Sequence, residues 1–498
     1  MAAPIMCLST LLLAGASTVL AAYNTIHSQH SDTSIRVKSF SGNEADLCQS
    51  NKPHHAGWAD LDNNRHLFFW LHEARHDPET APLLVWLQGG PGASSMFGFL
   101  FEHGPCLVNS DNSTEYNHHS WTEGFNTVYI DSPAGSGFSY SDDPTNQPLP
   151  NTTTAVVQDV VKVLELLYEA FPNLKEAPLH VAGESFGGHW IPALGAAILE
   201  LNEQKPHSQA LPLRSIMVGN GWTNPVVQLP SLFDVSCHVH HGYPPYLDYD
   251  TCKRALANLE PCRAAMRNCG ASRDPATCIA SYPWCKDGIV DLVLKDSGSS
   301  PYDRRFHGCD GDCYQPRYDR LHEYLARSEV LVDHLELADA TGGHKKSWVP
   351  QDLSAPGRFF ASGDHFLPVS VQLERVLADP KVDVLYYAGA ADITCNPKGV
   401  LEALEAANWT EQLSLIRAEW EELPWQSAEG GVGGHRKSVE GLWMVEFENA
   451  GHYVPLDQSE LALQMVLAWR DYTGRRETPE TEVNLSLSGG SEIVMEEL

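Results

Sequence analysis

The chain predicts an α/β architecture: a central, mostly parallel sheet flanked by helices and interrupted by a disulfide-rich cap insertion. Three observations predict it. Six short apolar, β-branched runs are bounded by turn residues, helical patterns alternate with them, and in one long stretch cysteines replace strand signals. The runs are 83–88, 127–131, 179–183, 215–219, 382–387 and 443–448. They read as buried strands. Helical patterns cover 153–171, 188–203 and 460–472. Alternation of this kind implies a sheet covered on both faces.

Between residues 225 and 345 the alternation stops. Eight cysteines (Cys237, Cys252, Cys262, Cys269, Cys278, Cys285, Cys309 and Cys313) stand there among few strand signals. The segment therefore reads as a cap insertion held by disulfides rather than by its own core, placed as a lid above the strand ends. The main domain would comprise 23–224 and 346–498. Residues 426–437, rich in glycine, read as an exposed loop, and the polar tail beyond Arg476 as partly ordered.

Composition excludes some function classes. Sixty-four acidic residues against 33 basic ones give a net charge of −31, which argues against nucleic acid and anionic membrane surfaces as partners. Residues 1–22 read as a secretory signal peptide, with an apolar run over 11–20 followed by Ala21 and Ala22. Twelve cysteines, and sequons at Asn112, Asn151, Asn408 and Asn484, fit an oxidising, extracellular or vacuolar destination. No later segment is apolar enough to cross a membrane.

The chemistry centres on Gly183-Glu-Ser-Phe-Gly187, between a predicted strand and a predicted helix. A Gly-x-Ser-x-Gly in that setting is the nucleophile elbow of an α/β-hydrolase fold, which lifts the Ser185 hydroxyl out of a tight turn. A serine hydroxyl needs a base, and the base an orienting acid. In this fold they follow in the order Ser, Asp, His. Asp392 follows the run 382–387, and His452 follows 443–448 in Asn449-Ala-Gly-His452, both just past strand ends. At the end of the run 83–88, Gln88-Gly-Gly-Pro-Gly92 exposes backbone N–H groups. With the N–H of Phe186 these could hold a developing oxyanion. His238, His240 and His241 lack a second ligand pair at zinc spacing and read as a solvated lid loop. No metal and no cofactor is expected.

Four motifs in order, Trp86-Leu-Gln-Gly-Gly-Pro-Gly92, Gly183-Glu-Ser-Phe-Gly-Gly-His189, Tyr387-Ala-Gly-Ala-Ala-Asp392 with Cys395-Asn396, and Gly451-His-Tyr-Val-Pro455, resemble the serine carboxypeptidase signatures. Asp131-Ser-Pro-Ala-Gly135 and Tyr302-Asp-Arg304 add to the likeness, which runs from about Val37 to Tyr472 and is greatest to fungal members. The resemblance implies Ser185, Asp392 and His452 as the charge-relay residues, and the N–H groups of Gly90 and Phe186 as the oxyanion hole. It implies recognition of a free C-terminal carboxylate by Gln88, Glu102 and Glu184. Two neighbouring carboxyls disfavour double ionisation, so one should hold its proton well above the usual value. Activity is then expected to be best in mildly acidic solution. The family also implies the pairs Cys237–Cys252, Cys262–Cys285, Cys269–Cys278 and Cys309–Cys313, leaving Cys48 with Cys106 and Cys395 as a free thiol near the site.

Three positions depart from the family pattern. Gln88 stands for the usual Asn and is one methylene longer, so its amide could be displaced. Ala93 replaces a cysteine, and Pro397 replaces a tryptophan, which could reshape a pocket wall. The expected function is a serine-type carboxypeptidase acting on peptides or proteins with free C-termini, as a monomer or homodimer. An acyltransferase on the same scaffold and a catalytically silent binding protein are the competing readings. Residue preference at the scissile bond is not legible.

Overall fold

A computed structural model describes residues 23–41, 48, 52–296, 299–308, 313–345, 347–425 and 432–477. The predicted signal segment, Cys309 and Asn484 lie outside the described residues.

The six runs named above form the centre of one thirteen-stranded sheet. Their order is Asn126–Ile130, Leu83–Leu87, Leu179–Glu184, Leu213–Gly219, Asp383–Gly389 and Leu442–Phe447, all parallel. Every residue of these six strands is buried, which is why apolar runs rather than alternation announced them. Antiparallel strands extend both edges. Asn24–His27, Ser34–Phe40, His54–Asp60 and Arg65–His72 join beside Asn126–Ile130. Gly434–Val439 and Glu421–Glu422 join beside Leu442–Phe447. Gly434–Val439 corrects the end of the loop expected over 426–437, whose residues 426–431 lie outside the described ones: the loop reading ignored a partner strand three residues further on, with which this strand forms a tight hairpin.

Helices Thr153–Ala170, Gly187–Gln204 and Ser459–Glu477 match the predicted patterns. The first is capped by Thr152, whose hydroxyl accepts the Ala155 N–H at 3.3 Å.

The segment 225–345 is mainly helical, with Pro225–Cys237, Tyr249–Ser272, Pro275–Cys285 and Gln315–Leu325 as its longer elements. Its buried Leu229, Leu259, Met266 and Ile289 join the same apolar cluster as the sheet, so the insertion packs on the main core instead of forming its own. Disulfides Cys237–Cys252, Cys262–Cys285 and Cys269–Cys278 brace it, and Cys48–Cys106 ties the N-terminal region. Cys313 is disulfide-bonded. Each such cross-link is worth about 2–4 kcal/mol.

Candidate active site

Strand Leu179–Glu184 ends directly at Ser185, whose φ of 60° lies in the left-handed region. A non-glycine residue there costs about 1–3 kcal/mol. The surroundings hold it: Ser185 N–H donates to Gly219 O (3.1 Å), and its carbonyl accepts from Trp222 N–H (2.7 Å) and Gly188 N–H (2.9 Å). The tightness explains the glycines. A Cβ on Gly183 would stand 2.5 Å from Leu87 O, and one on Gly89 2.6 Å from Phe186 N.

His452 and Asp392 are both buried, and His452 Nδ1 lies 2.7 Å from Asp392 Oδ2. The Asp392 carboxylate also accepts from Asn220 Nδ2 (2.7 Å, at Oδ2) and from Cys395 N–H (3.2 Å, at Oδ1). With Nδ1 donating to Asp392, Nε2 is the imidazole nitrogen left to take a proton. Ser185 and His452 line one cavity of about 560 Å³ with Gln88, Gly90 and Glu184. Among the described residues the Ser185 hydroxyl makes no hydrogen bond to His452, a contact that commonly tightens only around substrate. The Gly90 and Phe186 N–H groups likewise find no acceptor among the described residues.

Glu184 and Glu102 are buried side by side. Burial pushes Glu102 up to about 8. Burial and then the neighbouring Glu102 carboxyl raise Glu184 well above the carboxylate range. Glu184 lines the cavity and Glu102 stands behind it, so Glu184 is the carboxyl that can meet a ligand. Gln88 bridges inward: its Nε2 donates to Glu184 Oε1 (2.6 Å), and its Oε1 accepts from the Trp86 indole N–H (2.7 Å). Reversing the amide would set two donors against each other at Trp86, so the orientation is fixed. The extra methylene of Gln88 is absorbed within this network.

The sequence profile of the serine carboxypeptidase family matches residues 46–471. The chain belongs to the serine carboxypeptidase family. Carboxypeptidase Y homolog A of Ajellomyces dermatitidis (strain ER-3) is 32% identical to it over 414 residues, 82% of this chain and 72% of that protein. The Paracoccidioides brasiliensis (strain Pb18) homolog of the same name is 30% identical over 450 residues, 90% of this chain and 78% of that one. In fold, the chain resembles the crystal structure of Kex1(delta)p, a prohormone-processing carboxypeptidase from Saccharomyces cerevisiae. That likeness has a TM-score of 0.72 at 24% identity, over 84% of this chain and 92% of the other. This chain is thus a serine-type carboxypeptidase of α/β-hydrolase fold.

Two sequence expectations change in the carboxypeptidase. Pro397 is buried at the first turn of helix Pro397–Glu405 and does not line the cavity, so it reshapes no wall of it. Its fixed φ suits that position. His238, His240 and His241 are not uniformly solvated. His238 is exposed, but His241 sits between Glu446 (3.1 Å) and Glu448 (3.4 Å). Against burial, which lowers it, these two carboxylates push His241 up to about 9. Ala93 lines the cavity. Asn151 and Asn408 are exposed, whereas Asn112 is half-buried and its amide donates to Glu323 Oε2 at 2.8 Å.

Asp392, Cys395 and His452 are, among the described residues, the group whose ligand atoms come within 4.8 Å of one another. Asp392 and His452 already spend those atoms on each other, and burial, then Asp392 and Glu184, raise the Cys395 thiol well above its usual value. Cys395 is unpaired and buried. A bulky organomercurial should inactivate the enzyme slowly by crowding His452 from Cys395. Equal sensitivity in Cys395→Ala would refute that route.

Sequence reading missed Asn220. The signal was present: Asn220 sits between two glycines immediately past the run 215–219, the same strand-end position that singled out Asp392 and His452.

Proposed function

We propose that this carboxypeptidase removes residues from peptide C-termini through an acyl-enzyme on Ser185. His452 Nε2 takes the Ser185 proton as Oγ attacks the scissile carbonyl carbon. Asp392 holds the imidazole tautomer, and the N–H groups of Gly90 and Phe186 take the oxyanion. Collapse of the tetrahedral adduct breaks the C–N bond. His452 passes its proton to the departing amino acid's nitrogen, and water repeats the cycle on the ester. None of these steps calls on a cofactor.

The observation that carries the reading is one cavity shared by Ser185, His452, Gln88 and Glu184. A protonated Glu184 donates a hydrogen bond to the substrate carboxylate, and Gln88 offers its second amide hydrogen. Glu102 supports Glu184 from behind. The charge logic sets the pH dependence. Below about 8 both carboxyls keep their protons and the pair is neutral; as pH rises through that value Glu102 ionises, and its charge beside Glu184 repels a carboxylate. Peptide KM should therefore be low in mildly acidic solution and climb towards pH 8, more steeply than kcat changes. In Glu102→Gln, which stays neutral behind Glu184, that climb should flatten. A Glu102→Gln profile parallel to wild type would remove the glutamate pair from the carboxylate site.

The deciding experiment is timed release of amino acids from a free peptide and from its C-terminally amidated twin. Stepwise release from the free peptide alone supports the reading. No release from either, with Ser185 still labelled by a fluorophosphonate, would favour acyl transfer to an acceptor other than water. The disulfides and the segment 1–22 support a place in the secretory route, extracellular or vacuolar, where peptides and proteins with free C-termini would be its substrates.

A further inference from the structure

The insertion does more than cover the site. Its hairpin, strands Ser299–Ser300 and Asp303–His307, is stitched to both catalytic loops by consecutive backbone groups. Pro301 O accepts the N–H groups of Ile393 and Thr394, each at 3.1 Å, and Arg304 N–H donates to Ala391 O at 3.0 Å. These three bonds bracket Asp392. Between them in sequence, Tyr302 O accepts the His452 N–H at 2.8 Å.

A charged layer backs the stitching. Arg305 Nε donates to Asp303 Oδ1 (2.8 Å), its Nη2 to Asp457 Oδ2 (2.7 Å), and its Nη1 to Asn449 O. Asp457 Oδ2 in turn accepts the Gly451 N–H at 2.7 Å. Asp303 is fully buried, and a Cβ on Gly451 would stand 2.7 Å from it. The turn carrying His452 thus has its amides and carbonyls held at 449, 451 and 452 by groups of, or bound to, a single hairpin.

We propose that Arg305 is a positioning residue: through Asp303, Asp457 and Asn449 it fixes the His452 turn against the Asp392 loop. The inference rests on the catalytic roles proposed above for Asp392 and His452. Arg305 does not line the cavity, so its loss should act on the chemical step and not on peptide binding.

The test compares Arg305→Met, Arg305→Lys and Asp457→Asn with wild type on one free peptide, with thermal unfolding and fluorophosphonate labelling measured alongside. A misplacement of about 1 Å at a reacting group costs about 100-fold. Arg305→Met should lose between about 10- and 100-fold in kcat at nearly unchanged KM, and label more slowly by a similar factor. Lysine, which keeps the charge but not the fork, should restore part of the loss, and Asp457→Asn should lower kcat in the same sense. Folded Arg305→Met and Asp457→Asn with kcat within twofold of wild type would overturn the proposal, as would a loss confined to KM. If Arg305→Met does not fold, Asp457→Asn alone decides. Failure of the catalytic reading itself would show separately, as Ser185→Ala retaining activity.

Discussion

Ser185→Ala is expected to lower kcat by about a million-fold, the loss measured when a serine hydrolase loses its nucleophile. KM should change little, because Gln88 and Glu184, proposed above as the carboxylate site, are untouched. Fluorophosphonate labelling should disappear with the activity. The backbone argues that the fold survives: Ser185 is anchored by its own N–H and carbonyl to Gly219, Gly188 and Trp222, none of which involves Oγ. Alanine has the same Cβ and meets the same left-handed φ. Residual turnover should come only from the oxyanion donors and binding, about 10³–10⁴-fold above water. Near-normal kcat in Ser185→Ala would overturn the assignment of the nucleophile.

What the sequence could show of this fold follows from burial. The six central strands are apolar on both faces, so each stood out as a run. The strand Ser34–Phe40, one in from the edge, alternates only over its first four residues, with Ile35 and Val37 buried beside partly exposed Ser34 and Arg36 before buried Lys38 breaks the pattern, and a search for runs passes over it. His54–Asp60 is less legible still. Its inward residues include His54, Ala56 and Trp58, and Gly57 is needed because a Cβ there would fall 1.7 Å from Arg36 O on the neighbouring strand. Nothing local announces that approach.

The site divides the same way. Ser185, Asp392 and His452 each follow a strand within a few residues, so strand prediction located them. The roles of Arg305 and Asp457 depend on one another across 152 positions, and that pairing exists only once the insertion has folded back over the sheet. Glu102 and Glu184 were legible as a pair. That one stands behind the other, and that Gln88 spends its carbonyl on Trp86, needed coordinates.

Asp392→Asn should also be severe, but less so than the loss of about 10⁴-fold that follows when an amide N–H faces the imidazole and traps the wrong tautomer. The reason lies in the donors around the carboxylate. Asp392 Oδ2 accepts from both His452 Nδ1 and Asn220 Nδ2 at 2.7 Å, whereas among the described residues Oδ1 accepts only the longer bond from Cys395 N–H at 3.2 Å. In the variant, a side-chain amide with its NH₂ at the former Oδ2 position would face two donors. Placed the other way it faces one, and keeps its oxygen towards His452. Asn220 therefore selects the orientation that preserves the tautomer, and what is lost is the negative charge that stabilises the imidazolium. Removing Asn220 removes half of that selection. Asp392→Asn combined with Asn220→Ala should then fall to the full loss of about 10⁴-fold, although Asn220→Ala alone, leaving a carboxylate in place, should cost far less. The measurement is kcat for the two single variants and the double on one peptide. Strict additivity would mean that Asn220 has no say in the tautomer; a double variant worse than the product of the singles would show that it holds the catalytic carboxylate's orientation.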